Sequence, residues 1–248
     1  MPSLDVSIVI GCPNTCLFCA RDRTEAAYPK DAPRIMRRED LTRWCRTLPE
    51  GCWVQFAGFA EPFANPECAD MLLDRHKEGR PIGLYTTLAG ATLDDIETLR
   101  PIPFNTLCVH LPDDRGFSVI PASRRPGYRE VLAEVYRNPF PNSRFVVHTA
   151  RIRPDLADIV PVAAQQEMQS LCGYCRLLPP LAPKPRFRCR TSDNQYDRNQ
   201  LLPNGDVVLC SEDFGLVTPI GNLDRQTWAE LNRGPMQLCP VCQFAEEV

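Results

Sequence analysis

Cys12, Cys16 and Cys19 stand as C-x3-C-x2-C directly behind the short apolar run Asp5-Val6-Ser7-Ile8-Val9-Ile10-Gly11. This loop constrains the chain more than any other feature, because thiolates are the soft ligands that hold iron-sulfur clusters. Three of them bind three irons of a [4Fe-4S] cube and leave the fourth iron open to a further ligand. Zinc is the competing reading of three close cysteines, but a structural zinc site closes with a fourth Cys or His nearby. The next cysteines, Cys45 and Cys52, follow only after a segment patterned as a helix.

A chain of 248 residues, 44% of them apolar, buries a large core and suits one main domain with a small appendage. Lysine and arginine total 28 against 31 acidic residues, so no global positive field exists to hold a polyanion. Nucleic acid is therefore not the expected partner. No stretch of about eighteen apolar residues occurs to span a membrane, and the start Met1-Pro2-Ser3-Leu4-Asp5 lacks the charged and apolar regions of a signal peptide. A cytoplasmic protein is expected. In a reducing compartment, thirteen cysteines at close spacings point to metal, not disulfides.

Beyond the loop, strand and helix patterns alternate, as in a parallel βα architecture. The first strand is expected at Val6 to Ile10. Leu41, Trp44, Cys45 and Leu48 recur at helical spacing, so Arg38 to Leu48 reads as an amphipathic helix. There follow a strand at Trp53 to Ala57, a helix at Pro66 to Lys77 and a strand at Ile82 to Thr87. A helix at Thr92 to Leu99, capped by Thr92, leads to a strand at Thr106 to His110. A helix at Tyr128 to Tyr136, a strand at Arg144 to His148 and a sixth strand at Asp158 to Val162 complete six βα units. Pro179, Pro180, Pro183 and Pro185 then make a stiff linker, which sets a domain boundary between residues 1–178 and 179–248.

Cys12-Pro13-Asn14-Thr15-Cys16-Leu17-Phe18-Cys19 resembles the signature of the radical S-adenosylmethionine (SAM) enzymes, including the aromatic Phe18 before the third cysteine. Gly58-Phe59-Ala60-Glu61-Pro62, at the end of the next strand, is similar to the family's GGEP motif, with Phe59 and Ala60 where glycines are common. The resemblance implies an α/β fold, a partial (β/α)6 TIM-like barrel with a small C-terminal β-hairpin plus helix (twitch) subdomain. It implies that Cys12, Cys16 and Cys19 hold a [4Fe-4S] cluster whose free iron binds SAM. Phe18, Gly58, Phe59, Ala60, Glu61, Thr87, His110 and His148 are implied as SAM-binding residues, with Thr86, Asp113 and Arg151 at neighbouring strand ends. A strand-end His that only satisfies a backbone group is the alternative for His110 and His148.

The C-terminal part carries a second signal: Cys189, fifteen residues, Gly205, four residues, Cys210, and then Cys239-Pro240-Val241-Cys242. Leu201 to Leu209 reads as a hairpin with Asn204-Gly205 at its turn, and its second strand delivers Cys210. This resembles the truncated SPASM, or twitch, extension, and implies an auxiliary [4Fe-4S] cluster held by Cys189, Cys210, Cys239 and Cys242. A helix is expected over Asp224 to Asn232. A four-cysteine zinc ribbon is the alternative. Cys172 and Cys175 are candidates for auxiliary ligands, a redox pair, a hydrogen-atom donor or inert packing. Cys45, Cys52, Cys68 and Cys108 read as small core hydrophobes.

Two clusters imply an oxidoreductase that makes a 5'-deoxyadenosyl radical, abstracts hydrogen from a small-molecule substrate and passes an electron to the auxiliary cluster. In this the chain is similar to family members of the butirosin-pathway aminocyclitol dehydrogenase type. Arg190, Asn194, Asn199 and Asn204 resemble residues of twitch proteins that act on saccharides and secondary metabolites. Epimerisation with Cys172 or Cys175 as hydrogen donor, peptide modification and a non-enzymatic zinc scaffold are the alternatives. The resemblance also implies an external one-electron donor such as flavodoxin or ferredoxin.

Overall fold

The structure is a computed structural model that describes residues 2–121, 126–148, 151–190, 196 and 198–248. Six strands form a parallel series in chain order: β1 (Ser3–Val6), β2 (Trp53–Phe56), β3 (Ile82–Thr86), β4 (Thr106–His110), β5 (Ser143–Val147) and β6 (Ala164–Gln165). Helices α1 (Arg21–Ala27) and α2 (Arg38–Cys45) follow β1, while α3 (Cys68–Lys77), α4 (Leu93–Leu99) and α5 (Tyr128–Arg137) follow β2, β3 and β4. Val54, Phe56, Leu84, Leu107 and Val109 are fully or almost fully buried, as strands covered on both faces require. This is the α/β partial barrel that the resemblance implied.

Two strand positions differ from expectation. β1 occupies Ser3–Val6, not Val6 to Ile10, because its ladder to β2 ends at Val6↔Phe56. The run Ile8–Ile10 is buried for another reason: it pairs with the segment after α1, with Met36 N–H donating to the Ile8 carbonyl at 3.0 Å and Ile10 N–H to the Arg34 carbonyl at 2.8 Å. The sixth strand is Ala164–Gln165, since Asp158 to Val162 forms turns behind the 3-10 turn Pro154–Leu156. Pro161 lacks the amide donor that a ladder there would use.

Past the proline-rich segment, β7 (Phe187–Cys189) pairs antiparallel with β11 (Ala245–Glu247) in a separate two-stranded sheet. β8 (Arg198–Leu201), β9 (Asp206–Val208) and β10 (Pro219–Asn222) form an antiparallel meander. The meander does not stand apart from the barrel. β8 lies parallel to β1, which gives one nine-stranded sheet in the order β10-β9-β8-β1-β2-β3-β4-β5-β6. At the hairpin turn Gly205 takes φ +82°, and an added Cβ would lie 3.0 Å from the Trp44 ring, so a side chain there would push α2 away. The helix expected over Asp224 to Asn232 is instead a single 3-10 turn, Trp228–Glu230, with a Thr227–Glu230 capping box. The segment bends back on β10, with Gln226 N–H donating to the Asn222 carbonyl at 3.1 Å and Asn232 N–H to the Ile220 carbonyl at 2.9 Å. Asn194 lies outside the described residues.

Candidate functional site

The cysteine loop leaves the C-terminal end of β1, the face on which parallel barrels assemble their sites. A second loop, after β4, holds it in place. Asp113 accepts N–H bonds from Arg115, Phe117 and Ser118 at 2.7 to 3.1 Å, which folds that loop tightly. The folded loop then accepts Thr15 N–H on the Val119 carbonyl (3.1 Å) and Leu17 N–H on the Phe117 carbonyl (2.9 Å), with Ser118 Oγ 3.8 Å from Cys16 Sγ. Asp113 therefore serves the cysteine loop structurally. Burial raises the thiols of Cys12, Cys16 and Cys19, to about 12 for Cys12 and about 11 for Cys19. Metal binding would displace those protons.

Asn14, inside the loop, ties it to the neighbouring strands. Its Nδ2 donates to Thr87 Oγ1 at 2.9 Å, and Thr87 Oγ1 in turn donates to Glu61 Oε2 at 2.7 Å. Glu61 is buried, and it also accepts from Thr86 Oγ1 (2.5 Å), Thr87 N–H (2.7 Å) and Phe63 N–H (3.3 Å). Burial still pushes its carboxyl up, because four hydrogen bonds offset only part of the lost hydration. Glu61 thus clamps the ends of β2 and β3 together. Gly58 has φ +107°, and an added Cβ would sit 2.5 Å from Gln200 Oε1 and 2.7 Å from Ser7 Oγ. Ser7 Oγ accepts Phe59 N–H at 2.9 Å and Gln200 Nε2–H at 3.1 Å, so β8 meets the β1 and β2 ends here.

His110 ends β4 and His148 follows β5. Their rings stack with centroids 5.3 Å apart, His110 Nδ1 lies 3.3 Å from His148 Nε2, and Cys108 Sγ lies 3.5 Å from His110 Nε2. Burial holds His110 neutral, with its pKa lowered to about 3, and burial lowers that of His148 as well. Phe18 stands against His148 with centroids 4.3 Å apart, which joins the aromatic residue of the cysteine loop to the β5 end. Arg151 is exposed, and its carbonyl accepts Asp114 N–H at 3.3 Å.

A single cavity of about 480 Å³ brings these residues together. Cys12, Cys16 and Cys19 line it, as do Phe18, Gly58, Phe59, Ala60, Glu61, Thr87, His110 and His148. So do Cys189, Cys210, Cys239 and Cys242. β7 and β11 pair Cys189 with Ala245, three residues after Cys242, while the hairpin brings Cys210 from the sheet. Cys172 and Cys175 are buried and do not border the cavity. Cys175 packs with Ile10, Phe59 and Phe214, whereas Cys172 lies against Cys242 and Glu212 with ligand atoms within 4.8 Å of one another.

The donor set fits the groups that the resemblance implies. Three thiols on one loop and four at the C-terminal part share one chamber, and soft thiolates suit iron-sulfur clusters. Buried acceptors without a partner, Asn14 Oδ1 and Glu212 Oε2, belong to residues of the chamber wall and await a donor. Several polar groups escaped the sequence reading. Asp5, 1% exposed on β1, accepts Gln55 Nε2–H at 2.9 Å and Arg198 Nε–H at 3.3 Å, and burial raises its carboxyl despite them. Asp5, Arg198 and Glu212 all line the cavity. An Asp inside an apolar strand was the available signal, since such a residue is buried only with partners.

No protein-family model matches the chain, and no curated protein matches it by sequence. Solved structures do match its fold. BtrN in complex with AdoMet and 2-DOIA aligns with a TM-score of 0.64 at 15% identity, over 100% of this chain and 94% of that one. anSMEcpe with bound AdoMet aligns with a TM-score of 0.62 at 13% identity, over 97% and 86%. Streptococcus suis SuiB bound to the precursor peptide SuiA aligns with a TM-score of 0.52 at 12% identity, over 98% and 69%. The chain therefore has the open parallel-barrel fold of BtrN, anSMEcpe and SuiB, the fold toward which its cysteine loop pointed.

Proposed function

We propose that this chain is a radical SAM enzyme that takes a hydrogen atom from a small-molecule substrate with net oxidation. The observation that carries the reading is the one cavity lined both by the cysteine-loop thiols and by the four C-terminal thiols. Two relatives in fold hold AdoMet, and BtrN, which holds 2-DOIA, aligns at a higher TM-score and over more of its length than the peptide-bound SuiB, which favours a small molecule over a peptide.

Cys12, Cys16 and Cys19 would hold a [4Fe-4S] cluster with one open iron, and Cys189, Cys210, Cys239 and Cys242 a second, auxiliary cluster. When bound, the first cluster supplies the single electron that cleaves SAM to methionine and a 5'-deoxyadenosyl radical. The chain's own residues position the reactants. Glu61, Thr86 and Thr87 fix the ends of β2 and β3 beside the cysteine loop, and Gly58 leaves its backbone open to the chamber. Phe18, His110 and His148 wall the chamber on the β4 and β5 side. The loop thiols belong to residues 1–178 and the auxiliary thiols to residues 179–248. A flavodoxin or ferredoxin serves as electron donor.

Anaerobic reconstitution with iron and sulfide tests the reading. About eight irons per chain are expected from two cubes, and about four would remove the auxiliary site. Reduction in the presence of SAM should yield 5'-deoxyadenosine. Replacing Cys12, Cys16 and Cys19 together by alanine should abolish it and remove about four irons. Continued 5'-deoxyadenosine formation by that variant would overturn the assignment.

A further inference from the structure

Among the described residues, Asp5, Glu61 and Glu212 place carboxyls on the chamber wall. Two of them are satisfied: Asp5 accepts from Gln55 and Arg198, and Glu61 from Phe63, Thr86 and Thr87. Glu212 differs. It is 6% exposed, and no donor among the described residues reaches its Oε2. Buried acceptors are normally paired, and a carboxyl is among the hardest groups to hide without a partner.

The chain holds no cation in reserve for it. The wall carries two arginines. Arg198 faces Asp5, its Nε 3.3 Å from Oδ2, and Asp5 is 1% exposed and would lose that partner if the guanidinium turned away. Arg144 stands on β5 with its guanidinium 6.0 Å from the centre of the Tyr85 ring.

The loop after β9 also keeps the Glu212 carboxyl from turning out to water. Asp213 N–H donates to the Cys210 carbonyl at 3.1 Å, which closes a turn across Glu212. The Asp213 side chain, fully buried, accepts Val217 N–H at 3.0 Å and Thr218 N–H at 2.8 Å, and the Phe214 carbonyl accepts from Thr24 Oγ1 at 2.9 Å. Glu212 is therefore fixed from both sides. Its carboxyl lies within 4.8 Å of the Cys172 and Cys242 sulfurs, so a group held there sits at the end of the chamber where the C-terminal thiols gather.

We propose that Glu212 is a substrate-binding residue that receives a protonated amine, so that the substrate of this chamber carries a primary amino group. An ammonium brings the missing donor and the opposite charge together, and charge-assisted bonds are about twice as strong as neutral ones. A hydroxyl brings the donor alone. Phe59, Phe187, Phe214 and Phe244 supply apolar wall around it, which leaves orientation to a few polar groups. The inference rests on the chamber being the substrate site of the function proposed above.

The test uses the anaerobic, unreduced holoenzyme with SAM and two matched pairs of probes, glucosamine against glucose and cyclohexylamine against cyclohexanol, with binding measured by calorimetry. The wild type should hold at least one amine about ten-fold more tightly than its alcohol. Glu212→Gln, of the same shape, and Glu212→Ala should both lose that preference while keeping about eight irons and their affinity for SAM. Equal binding of amine and alcohol by the wild type, or no binding of any probe, would overturn the proposal. A preference that survives in either variant would do so too. So would loss of about four irons from both variants with SAM affinity kept, because the carboxyl would then be a metal ligand. A wild type that holds only about four irons, or makes no 5'-deoxyadenosine on reduction, would instead overturn the function proposed above, before any probe is added.

Discussion

At the scale of single residues, the site depends on buried polar side chains that satisfy one another. Thr87 Oγ1 accepts from Asn14 Nδ2 and donates to Glu61 Oε2, with all three residues at least nine-tenths buried. Thr87→Val keeps the shape and strands Asn14 Nδ2, while Glu61 Oε2 keeps only the backbone N–H of residue 87. Each unsatisfied buried group costs about 1–3 kcal/mol, so urea unfolding of the reconstituted protein should show a loss in that range or above. Thr87→Ser should recover most of it, and an unaltered midpoint in the valine variant would contradict the bond network. Gly58 is a second such point. Gly58→Ala places a methyl group against Gln200 and Ser7 at a positive φ, so a lower midpoint is expected there as well.

At the scale of elements, stability and site separate. α4 begins with a reciprocal capping box in which Asp95 N–H donates to Thr92 Oγ1 at 3.1 Å and Thr92 N–H to Asp95 Oδ2 at 2.8 Å. Neither residue lines the cavity. Thr92→Ala should cost about 1 kcal/mol, which is a melting shift of roughly 2–4 °C in a chain of this size. 5'-deoxyadenosine formation should be unchanged at 25 °C, and a drop in it would tie α4 to the site. The helices and inner strands were legible because 3.6-residue and apolar patterns lie along consecutive residues, as at Leu41, Trp44 and Cys45 of α2. Asp224 to Asn232 misled because a non-local bond decides it: Asn232 N–H donates to the Ile220 carbonyl of β10 at 2.9 Å, which folds the segment back and leaves one 3-10 turn.

At the scale of the whole molecule, the buried histidine pair sets a pH dependence. His110 has its pKa lowered to about 3, first by burial and then by His148 and Arg144, from the ordinary value of 6.5. The unfolded chain therefore binds a proton at His110 between those values and the folded chain does not. The contribution is complete above pH 6.5 and is lost as pH falls toward 3, at about 1.4 kcal/mol per pH unit. Urea unfolding at pH 7 and pH 5 should differ by roughly 2 kcal/mol from this group, and His110→Asn should flatten the difference. The thiol spacings, the Asn-Gly hairpin and the strand sequence are written in neighbouring residues, so reading along the chain recovers them. The pairing of β8 with β1, the Asn14–Thr87–Glu61 tie, the Asp5–Arg198 ion pair and the approach of Cys172 to Cys242 join residues 26 to 195 positions apart. No local pattern records such contacts, because they exist only once the sheet has formed and burial has left each polar group only protein partners.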